Sequence, residues 1–341
     1  MEHNVISIDL AKNVFQICVL DKQQKVVLNK KVKRPDLLHE LRQFEPTCVV
    51  MEACYSSNPW GRRIQALGHE VKLIAPFKVK PFVIGNKNDA NDALAIAEAS
   101  LRPNMRFVGV KSIAQQDIQT VFRARERLIR NRTGLVNQLR GLLSEYGVVA
   151  GKQAHALRKA LSGALEDASN ELTPVTRRVL QRLFRQWQFI DDEIDLANKE
   201  MEGLLEQHHD YPLLKSIPGI GPVGAALVIA AVGDVSQFKN GRQLAAWMGL
   251  TPKQHASGDI NRMGAISKRG NVALRKTLIH GARTVLNWSS KKNDPLSQWL
   301  NKLMTTKHPC KVVVSLANKL ARIIWAVLTT RKPFDVALAS G

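Results

Sequence analysis

Four carboxylates stand out by where they fall in the chain. Asp89 and Asp92 lie three apart in Lys87-Asn88-Asp89-Ala90-Asn91-Asp92-Ala93, just ahead of the helix formers Leu94, Ala95, Ile96, Ala97 and Glu98. At that spacing both point the same way from the first turn of a helix. Like charges that close repel, and the usual reason to hold them together is a divalent cation, which takes hard oxygen ligands. Taken alone, the pair reads sooner as an N-cap at Asn88 or Asp89 and an acid at Asp92 that favours the helix dipole. Two further acids add weight to the metal reading. Asp9 closes Val5-Ile6-Ser7-Ile8-Asp9, and Glu52 closes Cys48-Val49-Val50-Met51-Glu52. Each ends an apolar strand, where α/β sheets place their ligands. Asp9, Glu52, Asp89 and Asp92 are therefore expected to converge on a metal, Mg²⁺ by availability and oxygen-ligand preference.

The elements that must carry these acids are legible. Residues 4–10, 14–20 and 25–32 read as three strands in an antiparallel start. Pro35-Asp36 opens a helix through Phe44. Residues 47–52 form a fully apolar strand buried on both faces. A helix over 59–67 ends at Gly68, a fifth strand covers 71–75, and the acid-bearing helix follows. The order βββαβαβα, with acids ending strands one and four, is the RNase-H-like pattern, an α/β fold. Residues 112–208 read as helical. Val121, Leu128, Leu135 and Leu142 recur every seven residues. Leu183, Trp187, Ile190, Ile194, Ala197, Met201 and Leu204 alternate steps of four and three. That is a heptad seam for an antiparallel hairpin or an intermolecular coiled coil, with a break expected over 151–170.

Charge divides the chain. The net charge is +21, and residues 211–341 hold 19 Lys and Arg against 4 Asp and Glu. Such a field favours a polyanion, with nucleic acid the default. In this third, Ser216-Ile217-Pro218-Gly219-Ile220-Gly221-Pro222 resembles a helix-hairpin-helix turn. Gly219 and Gly221 there would offer backbone N–H groups to a phosphate or simply let two helices pack closely. Arg242, Lys268, Arg269, Arg275 and Lys276 are expected phosphate contacts. The stretch 253–270 reads as a polar, glycine-bearing loop. Residues 312–328 read as a buried apolar helix, and Trp288, Trp299 and Trp325 as core fillers. No uninterrupted apolar run reaches the roughly 18 residues a membrane span needs. The N-terminal residues show no signal-peptide pattern. Four cysteines without a C-x-x-C pair suit reduced thiols in a cytoplasmic protein, and a structural zinc site is not expected.

In order and spacing, several short motifs carry a family likeness over nearly the whole chain. They are Ile8-Asp9-Leu10-Ala11-Lys12, Met51-Glu52-Ala53, the segment from Lys87 to Ala93, Ile217-Pro218-Gly219-Ile220-Gly221, Gly249-Leu250-Thr251-Pro252, Ser257-Gly258 and Ser267-Lys268-Arg269-Gly270-Asn271. Together they resemble the DEDD-type insertion-sequence transposases of the IS110 family, in its IS1111 branch. The resemblance implies a RuvC-like (RNase-H-like) metal domain over 1–111, a coiled-coil helical arm over 112–210 and a mainly helical, basic transposase domain over 211–341. It implies a recombinase that cuts and rejoins donor and target double-stranded DNA, guided by an element-encoded bridge RNA. It also implies a homo-oligomer, dimer or tetramer, in a prokaryotic cytoplasm at the nucleoid. The family's four acids fall on Asp9, Glu52, Asp89 and Asp92. Its serine nucleophile falls on Ser257, where the residues alone say only a turn serine beside Gly258. Lys253, His255, Arg262, Lys268 and Arg269 supply charge nearby.

Two other classes share some of these features. A junction-resolving nuclease would use the four acids with water as the nucleophile. An actin-like kinase would need a glycine-rich phosphate loop after its first acidic strand, and Asp9-Leu10-Ala11-Lys12 has none.

Overall fold

Strand alternation fixes which side of the first sheet each acid faces. In a strand successive side chains point to opposite faces, so Val5, Ser7 and Asp9 share one face and Ile6 and Ile8 the other. The computed structural model describes residues 3–337 except Lys87 and Asp259, with side chains from residue 5 onward. The chain forms two compact units, Met1–Ile113 and Ala114–Gly341.

In the first unit β1 (His3–Asp9), β2 (Val14–Asp21) and β3 (Val26–Lys33) form an antiparallel meander. Then α1 (Leu37–Leu41) leads to β4 (Cys48–Glu52), which lies parallel to β1. Next, α2 (Ser57–Gln65) leads to β5 (Glu70–Ile74), parallel to β4. The short α3 (Pro76–Val79), the acid-bearing α4 (Asp89–Ser100) and the edge strand β6 (Phe107–Val108) complete the unit. The mixed sheet runs β3-β2-β1-β4-β5-β6. The two-residue β6 was not among the expected strands; its antiparallel pairing with β5 is too short to show a pattern.

The sheet has a core on each face. Ile6, Ile8, Phe15, Ile17, Val49, Met51 and Leu73 pack with Leu37, Leu41, Trp60 and Ile64 of α1 and α2. Val5, Cys18, Leu20, Val50 and Ile74 pack with Ala93, Ile96 and Ala97 of α4. Each large side chain so buried contributes about 1.5–3 kcal/mol. The small Ala93 and Ala97 let α4 lie close to the sheet, where it meets β1, β2, β3 and β4. Burial pushes the Cys18 thiol up to about 11, so it stays protonated at neutral pH.

The second unit begins with α5 (Ile113–Glu145), α6 (Ala154–Glu166) and α7 (Pro174–Glu206). Arg132 donates to Asp191 at 3.1 Å, Arg125 bonds Asn198, and Thr176 donates to the Tyr146 hydroxyl at 2.9 Å. Residue numbers fall on α7 as they rise on α5 and just beyond it, so the two long helices run antiparallel. The seam is filled from within the chain. Trp187, Ile190 and Ile194 pack with Leu135, Leu139 and Leu143 of α5, and with Leu157 and Leu161 of α6. The expected break over 151–170 thus contains a 13-residue helix. Its Leu157, Leu161 and Ala164 form a narrow stripe, and the seam they complete is made by the flanking helices α5 and α7. Asp191 binds both Arg132 and Arg158, and Arg158 also covers the Trp187 ring.

The chain continues through α8 (Tyr211–Lys215), α9 (Pro222–Val232) and α10 (Gly241–Trp247). A two-stranded ribbon follows, β7 (Pro252–Ser257) and β8 (Ile260–Ile266). The helices α11 (Val272–Ser289), α12 (Pro295–Met304) and α13 (Pro309–Thr330) close the unit. By length and composition α13 could cross a membrane, the one such helix among the described residues. Its Leu316, Leu320 and Ile324 are instead fully buried, and it packs on α10 and α11 as a core helix. Trp299 and Trp325 pack against that core, as expected. Trp288 does not: it is 54% exposed, with the Lys291 ammonium over its ring.

Candidate functional site

The acid end of the first sheet assembles from register. Ile8 pairs with Met51, so one step further Asp9 of β1 lies beside Glu52 of β4. Both face α4, by the alternation that buries Val5 and Val50 on that side. The helix arrives there first turn foremost. Asn88 caps it by accepting from the Asn91 N–H at 2.8 Å, and Asp89 and Asp92 occupy the first turn. Glu52 is half-buried. Burial raises its carboxyl above the usual range, and the nearby charges of Asp9 and Asp92 raise it further. Three of the four acids are therefore electrostatic neighbours. The fourth, Asp89, is more exposed and pairs with Lys31 of β3 at 3.2 Å.

The neighbours of this cluster reach across the sheet. Lys31, Gln16 and Asp9 are cross-strand partners on β3, β2 and β1, and Glu52 continues the row. Gln16 is 4% exposed. Its Nε2 donates to Asn29 Oδ1 at 2.6 Å, while its Oε1 is buried with no hydrogen-bond partner among the described residues. This chemistry fits a hard divalent cation: the acids offer only oxygen donors, and repulsion among them falls when a cation binds. A buried acceptor left over beside them suits a cation that keeps some of its water.

The expected nucleophile sits on a different kind of element. Most of the stretch 253–270, expected as a loop, falls in an exposed β-hairpin over 252–266, and Ser257 ends its first strand beside the turn at Gly258, where φ is +54°. The missed signal is the dipeptide Gly258-Asp259 between two short segments, a sequence that favours a two-residue hairpin connection; Asp259 itself lies outside the described residues. Ser257 pairs with Ile260 and His255 with Arg262. Alternation puts Ser257, His255 and Arg262 on one face, with His255 about 7 Å along the strand. Lys268 and Arg269 lie at the hairpin's root.

That root explains two motifs that carry no obvious chemistry. Ser267 N–H donates to Thr251 O at 2.8 Å and Lys268 N–H to Gly249 O at 3.1 Å. Gly249 has φ +74°, and a Cβ there would lie 2.1 Å from Arg269 O. Gly270 has φ +106°, and its Cβ would lie 2.0 Å from Trp247 O. Only glycine fits either place, so Gly249-Leu250-Thr251-Pro252 and Ser267-Lys268-Arg269-Gly270 clamp the ribbon at its base.

The glycine turn before α9 divides its two expected roles. Gly219 serves packing: with φ +81° it nests on α11, where a Cβ on Gly281 would lie 2.0 Å from Gly219 O. Gly221 is the N-cap of α9 and has open space around it. A cleft there is lined by Lys215, residues 216–221, Gly281 and Thr284. Among the expected phosphate contacts, Arg242, Lys268, Arg269 and Lys276 are exposed. Arg275 departs from that expectation. It is 7% exposed and donates to Met248 O at 3.1 Å, bracing the end of α10 instead of facing solvent.

The sequence reading did not single out His208, His209 and Asp210, which lie close enough to hold a metal. Their bonds point to a structural link. His208 Nδ1 accepts from the Asp210 N–H at 3.2 Å, and Asp210 is paired with Arg331 just past α13.

Comparison with known proteins agrees with this geometry. Residues 6–148 match a family model described as a transposase of the DEDD type, and residues 211–296 match the Transposase IS116/IS110/IS902 family. The chain is similar to the transposase for insertion sequence element IS1111A of Coxiella burnetii, 42% identical over 97% of this chain and 91% of that one. It is similar to a probable family 20 transposase of Pseudomonas aeruginosa, 43% identical over 95% of this chain and 96% of that one. A more distant likeness, 24% identical over 98% of both chains, is to a pilin gene-inverting protein of Moraxella bovis. The four acids and the glycine-clamped hairpin fall within the two matched segments, and the chain belongs to the IS110 family of insertion-sequence transposases, enzymes that recombine DNA.

Proposed function

We propose that the first unit is an RNase-H-like metal domain and that the protein cuts and rejoins DNA strands through a phosphoserine intermediate. The observation that carries the metal half is convergence: the β1–β4 register sets Asp9 beside Glu52, and the first turn of α4 brings Asp92 close enough for its charge to act on Glu52. Asp9, Glu52, Asp89 and Asp92 would hold Mg²⁺. When bound, the cation neutralises charge developing on the phosphate oxygens.

Ser257 Oγ would form the new bond to phosphorus as the bond to a deoxyribose oxygen breaks, and that oxygen would take its proton from solvent water. The Ser257 proton would pass to His255, two residues back on the same ribbon face, through one bridging water, and Arg262 would add positive charge for the phosphate. A free DNA hydroxyl then attacks the phosphoserine, and Ser257 Oγ recovers its proton. The exposed ribbon supports this role, since a nucleophile must reach a bulky polyanion. Gly221, Arg242, Lys268, Arg269 and Lys276 contact phosphates on this reading, and Gly219 shapes the turn that presents Gly221.

The element-encoded guide RNA and the homo-oligomer, dimer or tetramer, enter through the family resemblance. So does the arm as a coiled-coil domain over 112–210 between the metal and transposase domains. Its DNA substrate puts the protein at the nucleoid of a prokaryotic cytoplasm. The deciding experiment incubates the full chain with Mg²⁺, guide RNA and a labelled donor end, then denatures it. A covalent adduct mapping to Ser257 is expected. Cleavage by Ser257→Ala without any adduct would replace this mechanism with water attack.

A further inference from the structure

The first turn of α4 carries two of the four acids, and side chains from the sheet hold it in place. Ser7 Oγ donates to Ala93 O at 2.6 Å. Asn29 Nδ2 donates to Ala90 O at 3.2 Å, and Asn29 Oδ1 in turn accepts from Gln16 Nε2. Ala90 and Ala93 enclose Asp92 in sequence, so these bonds set how far the α4 acids stand from Asp9 and Glu52. Gln16 does two things in this arrangement. It backs Asn29, and it leaves Oε1 buried and unpaired next to Asp9 in the cross-strand row.

A buried unpaired acceptor costs free energy, so it persists where something else is gained. No donor reaches it among the described residues, whereas a hydrated cation at the acids would bring donors in its water. Mg²⁺ in particular gives up its water reluctantly.

We propose that Gln16 and Asn29 are positioning residues of the acid cluster. Gln16 Oε1 accepts a hydrogen bond from water carried by the cation, and the Gln16–Asn29 bridge fixes the first turn of α4 over it. This rests on the four-acid reading of the site. Partners of this kind, one step beyond the ligands, typically change metal affinity ten- to a hundredfold.

The test uses the full chain with Mn²⁺ alone as the probe, its binding followed by electron paramagnetic resonance and its metal-free unfolding midpoint measured in chelator. Gln16→Met removes the orphaned oxygen and keeps the volume. It should weaken Mn²⁺ about ten- to a hundredfold, with a metal-free midpoint equal to or above that of the unchanged protein. Asn29→Ala, at an exposed position, should weaken Mn²⁺ without unfolding the chain, which keeps the proposal testable if Gln16→Met does not fold. Unchanged Mn²⁺ affinity in Asn29→Ala, or in a folded Gln16→Met, overturns it. Asp9→Asn separates the two readings. If Asp9→Asn loses Mn²⁺ and the others do not, only the positioning role falls. If Asp9→Asn binds Mn²⁺ normally, the four-acid site falls with it.

Discussion

The acid end of the first sheet and the serine-bearing hairpin are built in opposite ways. The acids sit on two adjacent strands and a helix whose neighbouring residues are buried, and side chains lock that helix to the sheet. Every residue of β7, Ser257 included, is exposed, and the ribbon is held at its root, where Gly249 and Gly270 press close and Ile266 meets the core. The contrast suits what each would do under the proposed function. Four like charges need a rigid frame, because the work of bringing them together must be done by packing. A nucleophile for DNA needs reach, and a two-stranded ribbon is a thin element that a groove can admit.

Breaking either side of the comparison should give the largest effects. Asp9→Asn, Glu52→Gln or Asp92→Asn should abolish strand cleavage in a gel assay while DNA retention on filters stays intact. Normal cleavage by an Asp89→Asn, Asp92→Asn double variant would end the metal reading. Gly249→Ala or Gly270→Ala should cost at least about 1–3 kcal/mol from the backbone conformation alone, seen as a lowered unfolding midpoint. Cleavage should fall with it, and Mn²⁺ binding at the acids should persist. That last outcome separates root from sheet.

Next in size is the ribbon face. His255→Ala should slow adduct formation about 10²–10⁴-fold in single-turnover kinetics, the usual worth of a general base. Gln254→Ala, on the opposite ribbon face, should change little, and equal losses from both would remove the facial argument.

Charge on the second unit gives a smaller, graded effect. Each of Arg242→Ala, Lys268→Ala, Arg269→Ala and Lys276→Ala should reduce the slope of log affinity against log salt by about 1. Arg275→Ala should leave that slope alone and cost stability instead, because its guanidinium is spent on Met248 O.

The smallest effect is a pH dependence that belongs to the acid end. Glu52 has its carboxyl raised by burial and by Asp9 and Asp92, so the metal-free fold is favoured while Glu52 is protonated and loses stability as pH rises through its folded pKa. Glu52→Gln should therefore raise the metal-free unfolding midpoint at neutral pH. The gain should fade toward the acidic range, where Glu52 is protonated anyway. An equal gain at every pH would assign it to packing.

Periodic elements could be read before any coordinates. The strand-ending Asp9 and Glu52, the capped helix with Asp89 and Asp92, and the apolar seam from Trp187 to Met201 follow from local rules. Residues two apart share a strand face, and residues three or four apart share a helix face. The hairpin over 252–266 escaped because neither strand gathers its apolar residues on one face, so alternation had nothing to show. Residues 154–166 escaped because their short stripe completes a seam made by α5 and α7. Arg275 looked like its basic neighbours on the chain. Only the fold shows that its turn of α11 faces the Met248 carbonyl.

By itself, then, the sequence determined the residue types: four oxygen-donor acids at strand ends and a helix start, a basic final third, and glycines where the backbone must turn or press close. Tertiary structure decided which of these meet. Register between β1 and β4 placed Asp9 beside Glu52, packing on the alanine face of α4 brought Asp92 to them, and hairpin pairing put His255 and Arg262 on the side of Ser257. The reason is that local sequence fixes the direction a side chain takes from its own element. Its neighbours are fixed by contacts between segments tens of residues apart, which become favourable only once both segments are in place.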